Sequence, residues 1–140
     1  MNQEANIRNI SWEDTMPIRH KVLWPDKSIE FCHLEGDSTA LHFGYFLNNR
    51  LVSVASIYPS ANSARLRKFA TLPEVQGQGI GTQLLNHILS TINNEDIDQF
   101  WCDARESAIE FYKRFGMTPE GNRFYKAEVP YYKMSIKLNR

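Results

Sequence analysis

The chain has 140 residues, of which 42% are hydrophobic and 23% are charged, and this length suffices for the buried core of one ordinary domain. Sixteen Lys and Arg balance sixteen Asp and Glu, so no overall charge favours binding to nucleic acid or to an anionic membrane. Any anion site must therefore be local, and we expect a single domain over residues 1–140.

Cysteine usage and the N-terminal sequence favour a cytoplasmic protein. Cys32 and Cys102 lie far apart and lack CxxC spacing, so we expect buried thiols in a reducing compartment, with no disulfide framework and no metal. The polar start MNQEANIRN lacks the apolar segment of a secretion signal. No apolar run approaches the roughly 20 residues that span a bilayer, so we expect no membrane partner.

The first elements are a short strand and an early helix. A short strand is expected around residues 7–10. Ser11 and Asp14 have the spacing of a capping box and predict that a helix starts here. Pro17 disturbs this helix early, and Pro25, which follows Trp24, ends it.

The next segment predicts an antiparallel meander. Residues 26–38 have poor periodicity and indicate a loop or short helix. Two alternating runs, 40–47 and 51–59, are joined by Asn-Asn and predict a β-hairpin, because Asn tolerates the positive φ of tight turns. A third run, 64–72, is expected to pair antiparallel with the second.

From Gly79 onward the hydrophobic period becomes helical. The apolar face of this helix consists of Ile80, Leu84, Leu85, Ile88, Leu89 and Ile92. NNED ends the helix, and then come a strand over 97–103, a helix over 105–115 with Gly116 just past its end, and a closing strand over 129–138. With a short extra strand after Gly116, this order predicts a mixed sheet with helices packed on it, an α+β fold.

The stretch TLPEVQGQGIGTQLL joins a predicted strand to a predicted helix and carries three alternating glycines, Gly77, Gly79 and Gly81. Such a junction suits an anion, because the first amides of a helix are unpaired and glycine permits close approach. The GxGxxG dinucleotide pattern fails, since its third glycine would fall at Thr82. The P-loop pattern fails as well, because neither Gln78 nor Gln83 supplies its lysine.

Gln76-Gly77-Gln78-Gly79-Ile80-Gly81 resembles the Q/R-x-x-G-x-G/A signature of the GCN5-related N-acetyltransferase (GNAT) superfamily. The segment CDARESAIEFYKRFGM, 102–117, resembles the second conserved segment of that family, and IRHKVLWP and VPYYKM are similar to segments of small bacterial members. The resemblance implies a mostly antiparallel, twisted central sheet of about six or seven strands flanked by helices.

The resemblance also implies an activity and a cosubstrate. A family member transfers acetyl from acetyl-CoA to a primary amine of a small molecule or peptide, by direct attack in a ternary complex. The residues that would hold the pyrophosphate are Gln76, Gly77, Gln78, Gly79, Ile80, Gly81 and Thr82. Phe69, Ala70 and Thr71 would lie along the pantetheine arm, and their amides would also polarise the thioester carbonyl.

Tyr112 occupies the position of the family's tyrosine that acts as general acid to the thiolate. A phenol with a pKa near ~10 can protonate or hydrogen-bond a thiolate whose conjugate acid lies near ~8.5; the alternative is a packing role. Lys113 and Arg114 are candidates for phosphate pairing or are solvated charges. The chain departs from the family pattern at Arg105, a cosubstrate-side position where Asn is frequent, and at Tyr131, in a segment where His is common.

A lysine-like amine is mostly protonated at pH 7, so a base or a water chain is expected. The candidate bases are Glu30, His33, Glu35, His42 and Glu74, each with a structural or surface role as the alternative. By resemblance, acceptor choice lies in WPDKSIEFCHLEGD, the hairpin and RFYKAEVPYYKM. Competing interpretations are a non-catalytic acyl-CoA-binding module and a nucleotide-binding protein of another fold; a monomer and a homodimer both remain open.

Overall fold

Strands dominate the computed structural model, which describes residues 4–93 and 96–138. The strands are β1 (Ala5–Ile10), β2 (Leu41–Leu47), β3 (Arg50–Ser60), β4 (Ser63–Thr71), β5 (Gln99–Arg105), β6 (Thr118–Lys126) and β7 (Val129–Lys137). They form one sheet in the order β1-β2-β3-β4-β5-β7-β6. Every neighbouring pair is antiparallel except β4 and β5, which are parallel. The expected mixed, mostly antiparallel sheet is confirmed.

Short helical segments connect and cover the sheet. They are α1 (Trp12–Ile18), a π-helical turn (Arg19–Leu23), 3-10 turns at Ile29–Cys32, Pro73–Val75 and Glu106–Ala108, α2 (Ile80–Ile92) and α3 (Ile109–Lys113). The predicted capping box is confirmed: Ser11 Oγ accepts from the Asp14 amide at 3.2 Å, and Asp14 Oδ2 accepts from the Ser11 amide at 3.3 Å. In NNED, Asn94 and Glu95 lie outside the described residues.

The predicted β2–β3 hairpin is confirmed, and its turn residues Asn48 and Asn49 have φ of 53° and 67°. The helix predicted over 105–115 is shorter than expected, because a 3-10 turn precedes α3. Gly116 has the positive φ of 86° that suits a glycine after a helix, but α3 ends at Lys113, so Gly116 lies three residues past the helix and not directly after it as predicted. The extra strand after Gly116 is β6, whose nine residues make it longer than expected, because it pairs along β7.

The main core lies between α2 and the sheet. Leu84, Leu85 and Ile88 of α2 have no exposed surface and pack with Phe100 and Met134 of the strands. Burying an aliphatic side chain of this size stabilises a fold by roughly 1.5–3 kcal/mol. This packing fixes α2, and therefore the glycines just before it, relative to β4.

Two irregularities open the sheet near its middle. Pairing between β4 and β5 stops at Leu66 and Cys102, although both strands continue for several residues, so the strands diverge. On its other side β4 carries a bulge, in which Lys68 and Phe69 face the single residue Ala55 of β3. Lys68 adopts a left-handed φ of 56°, which is uncommon for a residue with a side chain.

Both cysteines, Cys32 and Cys102, are buried and free. Among the helices of the described residues, none combines the length and apolar character needed to cross a membrane.

Candidate functional site

The divergence of β4 and β5 leaves a cavity of about 780 Å³. Its lining from β4 includes Phe69, Ala70 and Thr71, the three residues that the resemblance places beside the pantetheine arm. The π-helical turn and the loop after it contribute Trp24 and Phe31, and further lining comes from β5, from α3 and from the β6–β7 turn. Phe31 is 46% exposed, so the cavity opens to solvent.

A smaller cavity of about 220 Å³ lies at the start of α2. Thr71, Gln76, Gly81 and Phe111 line both cavities, so the two form one groove. Residues that line only the smaller cavity include Gly77, Gly79, Ile80, Thr82 and Arg114. The groove therefore connects the glycine loop, residues 76–81, with the fork between β4 and β5.

Backbone amides face no internal acceptor at the start of α2. The first bond of this helix runs from the Gln83 amide to the Gly79 carbonyl at 3.0 Å, so the amides of Ile80, Gly81 and Thr82 lack intrahelical partners. Gly77 and Gly79 have φ of 79° and 81°, and a Cβ at either would meet no atom within 4 Å. These glycines are therefore required by backbone conformation and leave the loop open.

The two glutamines of the loop have different surroundings. The Gln76 amide donates to the Pro73 carbonyl at 3.3 Å, and its side-chain Nε2 donates to the Thr71 carbonyl at 2.9 Å. Gln76 therefore ties the loop to the end of β4. Gln78 is exposed and lines neither cavity.

Of the two predicted phosphate partners, Arg114 lies at the smaller cavity. Its guanidinium carbon lies 5.5 Å from the Phe111 ring centre. Lys113 instead lies 3.7 Å from Glu110 and lines neither cavity. The geometry favours Arg114 over Lys113 as the cation beside the loop.

Tyr112 lines the larger cavity and is itself almost completely buried. The thiol of Cys102, which is buried as well, neighbours it. Burial, together with the neighbouring Cys102, raises the pKa of Tyr112 well above its ordinary value, and burial raises the pKa of Cys102 to about 12. Tyr112 is therefore a neutral hydrogen-bond donor at physiological pH.

The two residues that depart from the family pattern both line the larger cavity. Arg105 Nη2 donates to the Leu23 carbonyl at 2.6 Å, and the guanidinium lies 5.0 Å from the Trp24 ring centre. Arg105 thus holds the π-helical turn against β5 and does not line the smaller cavity. Tyr131 is buried, stacks on Phe124 and lies beneath the Lys126 ammonium.

None of the five candidate bases lines the larger cavity in the ranges 4–93 and 96–138. His42 is buried between Ser56 Oγ at 2.6 Å and the Asp37 carbonyl at 2.8 Å, and Glu74 forms an exposed pair with Arg50 at 2.7 Å. His33 stacks on Trp12 at 4.1 Å, and Glu30 and Glu35 are exposed. These surroundings fit structural or surface roles for the five residues better than a role as catalytic base.

Sequence reasoning missed a group of cations in the larger cavity. Arg65, Arg67, Lys68 and Lys126 line it, and together they are called the cation cluster below. A signal was present in ARLRKF, where Arg65 and Arg67 alternate on a predicted strand and therefore share a face. The bulge that adds Lys68 to them carries no such signal, because its αL residue is not glycine.

Asp103 is the carboxylate of β5 within this cluster. Its Oδ2 accepts from Arg65 Nη2 at 2.7 Å and from Lys126 Nζ at 3.0 Å. Burial, with smaller effects of neighbouring cations including Arg67, lowers the pKa of Lys68 to about 8. Burial, with a smaller effect of Arg65, lowers the pKa of Arg67.

A buried ion pair joins the two ends of residues 19–37, the segment that covers the cavity with Trp24 and Phe31. Arg19 and Asp37 are both fully buried and bind through two contacts, at 2.9 and 3.0 Å. Arg19 also donates to the Cys32 carbonyl at 3.0 Å, while Tyr58 donates to Asp37. Burial would raise the pKa of Asp37, but hydrogen bonds from Arg19, Leu34 and Tyr58 lower it to about 2.

No group of three or more His, Cys, Asp or Glu side chains that could hold a metal ion occurs among the residues that the structure describes.

Comparisons with known proteins agree with this geometry. A family model for the acetyltransferase (GNAT) domain matches residues 20–138. The chain is 33% identical over 127 residues to the uncharacterized N-acetyltransferase YitI of Bacillus subtilis, covering 84% of this chain and 85% of that protein. It is 27% identical over 100 residues to the [ribosomal protein bS18]-alanine N-acetyltransferase of Escherichia coli, covering 69% of this chain and 66% of the relative.

Solved structures share the fold. A putative N-acetyltransferase from Lactobacillus plantarum superposes with a TM-score of 0.83 at 15% identity, covering 99% of this chain and 100% of that one. A GNAT acetyltransferase from Elizabethkingia anophelis, determined with acetyl-CoA bound, gives a TM-score of 0.75 at 16% identity over 96% and 98% of the two chains. The family match and the sequence relatives, together with the open glycine loop and the forked sheet, identify the chain as a member of the GNAT family of N-acetyltransferases.

Proposed function

We propose that this acetyltransferase moves the acetyl group of acetyl-CoA to a primary amine by direct attack within a ternary complex. The observation that carries the proposal is the continuous groove, which runs from unpaired helix amides to the fork of the sheet. The family uses acetyl-CoA, and a solved neighbour holds it. The bS18-alanine relative is named for an alanine acceptor, which supports an amine as nucleophile.

The glycine loop and the start of α2 fit the pyrophosphate of the cosubstrate. Ile80, Gly81 and Thr82 offer amides without intrahelical acceptors, and the dipole of a 13-residue helix favours negative charge at this end. Gly77 and Gly79 leave the approach free of side chains. We assign the loop residues Gln76, Gly77, Gly79, Ile80 and Gly81 together with Thr82 to this role, with Gln76 acting as the tether, and we add Arg114 as a charged partner. Gln78, which lines neither cavity, would serve only to connect the two glycines.

The strand residues Phe69, Ala70 and Thr71 would bind the pantetheine arm, and their backbone would orient the thioester at the fork. Their position between the loop and the cation cluster supports this assignment. A backbone amide aimed at the carbonyl oxygen would stabilise the negative charge that develops during attack.

The transfer forms one bond, breaks another and moves one proton. The acceptor nitrogen forms a bond to the acetyl carbon and loses a proton to solvent, which reaches the open cavity, while the carbon–sulfur bond breaks and the sulfur leaves as thiolate. Tyr112 would donate its hydroxyl hydrogen bond to that sulfur. Since its pKa is raised, Tyr112 stabilises the thiolate mainly as a donor that keeps its proton.

We further propose that residues 1–140 act as one N-acetyltransferase domain in the cytoplasm, as a monomer or homodimer, without a nucleic-acid or membrane partner. One continuous sheet through the described residues supports the single domain. Two buried, free thiols are consistent with a reducing compartment.

A thiol-release assay tests this function. With acetyl-CoA and a panel of primary amines, we expect amine-dependent release of the CoA thiol together with N-acetylated product detected by mass spectrometry. Binding of acetyl-CoA without release for any amine would instead support a non-catalytic acyl-CoA-binding module. Stabilisation by NAD or ATP but not by CoA would point to a nucleotide-binding protein.

A further inference from the structure

The charge of the larger cavity differs from that of the whole chain. The chain carries equal numbers of basic and acidic residues. Among the described residues that line this cavity, however, five are cationic, namely the cation cluster and Arg105, whereas Asp103 is the sole carboxylate. A cavity with partly apolar walls concentrates such a field, because low-dielectric surroundings strengthen Coulomb attraction.

Two members of the cluster lack a carboxylate partner. Asp103 accepts from both Arg65 and Lys126. In the described part of the chain, neither Arg67 nor Lys68 forms an ion pair, and their close neighbours are aromatic rings. The Arg67 guanidinium lies 5.6 Å from the Tyr58 ring centre, and Lys68 Nζ lies 5.8 Å from that of Trp24.

One of these two cations, Lys68, lies in the bulge of β4. All residues of β4 from Arg65 to Thr71 line the larger cavity, so this part of the strand borders the cavity along its length. Within the bulge, Lys68 adopts a left-handed φ of 56°. A non-glycine residue held in this region costs of order 1–3 kcal/mol, and such strain clusters at functional sites.

The cluster lies away from the glycine loop. Arg67 precedes Thr71 by four residues, a separation of about 13 Å along an extended strand, and the cluster does not line the smaller cavity. The pyrophosphate assigned to the loop therefore leaves Arg67 and Lys68 without an anion. Trp24, Phe31 and Lys126 come from segments to which the family resemblance assigns acceptor choice.

We infer that the acceptor is an amine whose own molecule carries an anionic group, a carboxylate or a phosphate, and that Arg67 and Lys68 bind this group. The inference rests on the proposed function and names its substrate class. The guanidinium of Arg67 offers a planar fork to two oxygens, and Lys68 adds a point charge. The same positive field disfavours the ammonium form of the acceptor, so the amine enters more readily in its neutral, nucleophilic form.

Matched acceptor pairs test the inference by thiol release. β-Alanine is compared with β-alaninamide, and ethanolamine phosphate with ethanolamine, so that each pair differs in the anionic group. We expect kcat/KM to be on the order of tenfold higher, or more, for the anionic member. The two pairs also distinguish a carboxylate from a phosphate.

Variants of the two unpaired cations locate the effect. Arg67→Gln and Lys68→Met should each lower kcat/KM for the anionic acceptor by about tenfold. The value of kcat/KM for the neutral acceptor should change little. Lys137→Met, which removes an exposed lysine of β7, is the matched control and should change neither. Equal rates for the members of each pair, or equal loss on both members in the variants, would overturn the inference and leave acetyl transfer intact.

Calorimetry separates this failure from failure of the proposed function. Protein that does not bind acetyl-CoA contradicts the proposed function itself. If acetyl-CoA binds but no pair is turned over, β-alanine and ethanolamine phosphate are titrated into CoA-loaded protein. If either anionic acceptor binds to wild type and this binding is lost in Arg67→Gln, the result supports the anion site. If neither acceptor binds to wild type, or if Arg67→Gln binds acetyl-CoA more weakly, the result contradicts it.

Discussion

The two ends of the groove are built from different parts of the chain. At the glycine loop the groove is lined mainly by one short segment, Gly77 and 79–82, in which the amides of Ile80, Gly81 and Thr82 lack intrahelical partners. At the fork they are side chains drawn from the π-helical turn, from β4 and β5, and from the β6–β7 turn. The first end suits a ligand that is common to a family, whereas the second is free to vary with the acceptor, because side chains change without disturbing the backbone.

The largest effect is expected at the loop. Gly79→Val should lower CoA affinity by at least about 100-fold, because a β-branched residue at φ of 81° is strained and its side chain enters the groove. Calorimetry with CoA measures this loss. Gly121→Val is the matched control, since Gly121 has a similar φ of 74° and open space but lies outside the groove. Wild-type CoA affinity in Gly79→Val would show that the loop assignment is wrong.

In the larger cavity, Tyr112→Phe should lower kcat by about 100-fold while leaving CoA affinity nearly unchanged, because only the donor to the thiolate is lost. Steady-state thiol release measures both parameters. Cys102→Ala is the control, because it removes the neighbouring thiol and keeps the Tyr112 hydroxyl itself. Near-normal turnover of Tyr112→Phe would leave Tyr112 with a packing role.

The segment that covers the fork depends on the buried pair beneath it. Asp37→Asn leaves Arg19 charged and unpaired in the interior, and we expect the free energy of unfolding to fall by about 3–5 kcal/mol. Urea unfolding measures the loss. Glu74→Gln breaks an exposed pair and should cost at most about 1 kcal/mol, so equal losses in the two variants would contradict the structural role of Asp37.

Acid should weaken the same pair in a defined window. The pKa of Asp37 is about 2 in the folded protein, against an ordinary value of 3.8. A lowered folded pKa means that the ionised form stabilises the fold above about pH 4 and that this stability is lost as pH falls through 2. At pH 2 the free energy of unfolding of wild type should be about 2 kcal/mol lower than at neutral pH because of this group. Asp37→Asn lacks the carboxyl and should not show this loss. Parallel urea–pH profiles for the two proteins would contradict this.

A smaller effect is expected from the cation beside the loop. Arg114→Gln should weaken CoA binding by about tenfold, because a charge-assisted contact to phosphate is lost. Lys113→Gln is the matched neighbour and should change CoA affinity little, since Lys113 lines neither cavity. A larger loss of CoA affinity in Lys113→Gln than in Arg114→Gln would show that Lys113, and not Arg114, is the phosphate partner.

The end of the groove at the glycine loop, which is formed mainly by backbone, could be predicted from the sequence. Local signals fixed the Asn48–Asn49 turn, the capping box at Ser11 and the start of α2 after Gly79, because each depends on the conformational preference of a few neighbouring residues. The helix predicted over 105–115 was too long, since the sequence does not distinguish a 3-10 turn from the first turn of α3.

The fork could not be predicted in the same way. It exists because β4 and β5 stop pairing after Leu66 and Cys102, and because the bulge shifts Lys68, both of which are tertiary events. The candidate base His42 shows the same limit. Its side chain belongs to a buried hydrogen-bond network with Ser56, and hydrophobic periodicity does not distinguish such a structural histidine from a catalytic one.

The claim that one groove holds acetyl-CoA is tested most directly by thermal unfolding with acetyl-CoA, NAD and ATP in parallel. At 100 times Kd, acetyl-CoA should stabilise the protein by about 2.7 kcal/mol, which corresponds to a rise in Tm of roughly 10 °C for a domain of this size. NAD and ATP should give no comparable shift. No shift with acetyl-CoA, or an equal shift with all three ligands, would contradict the account.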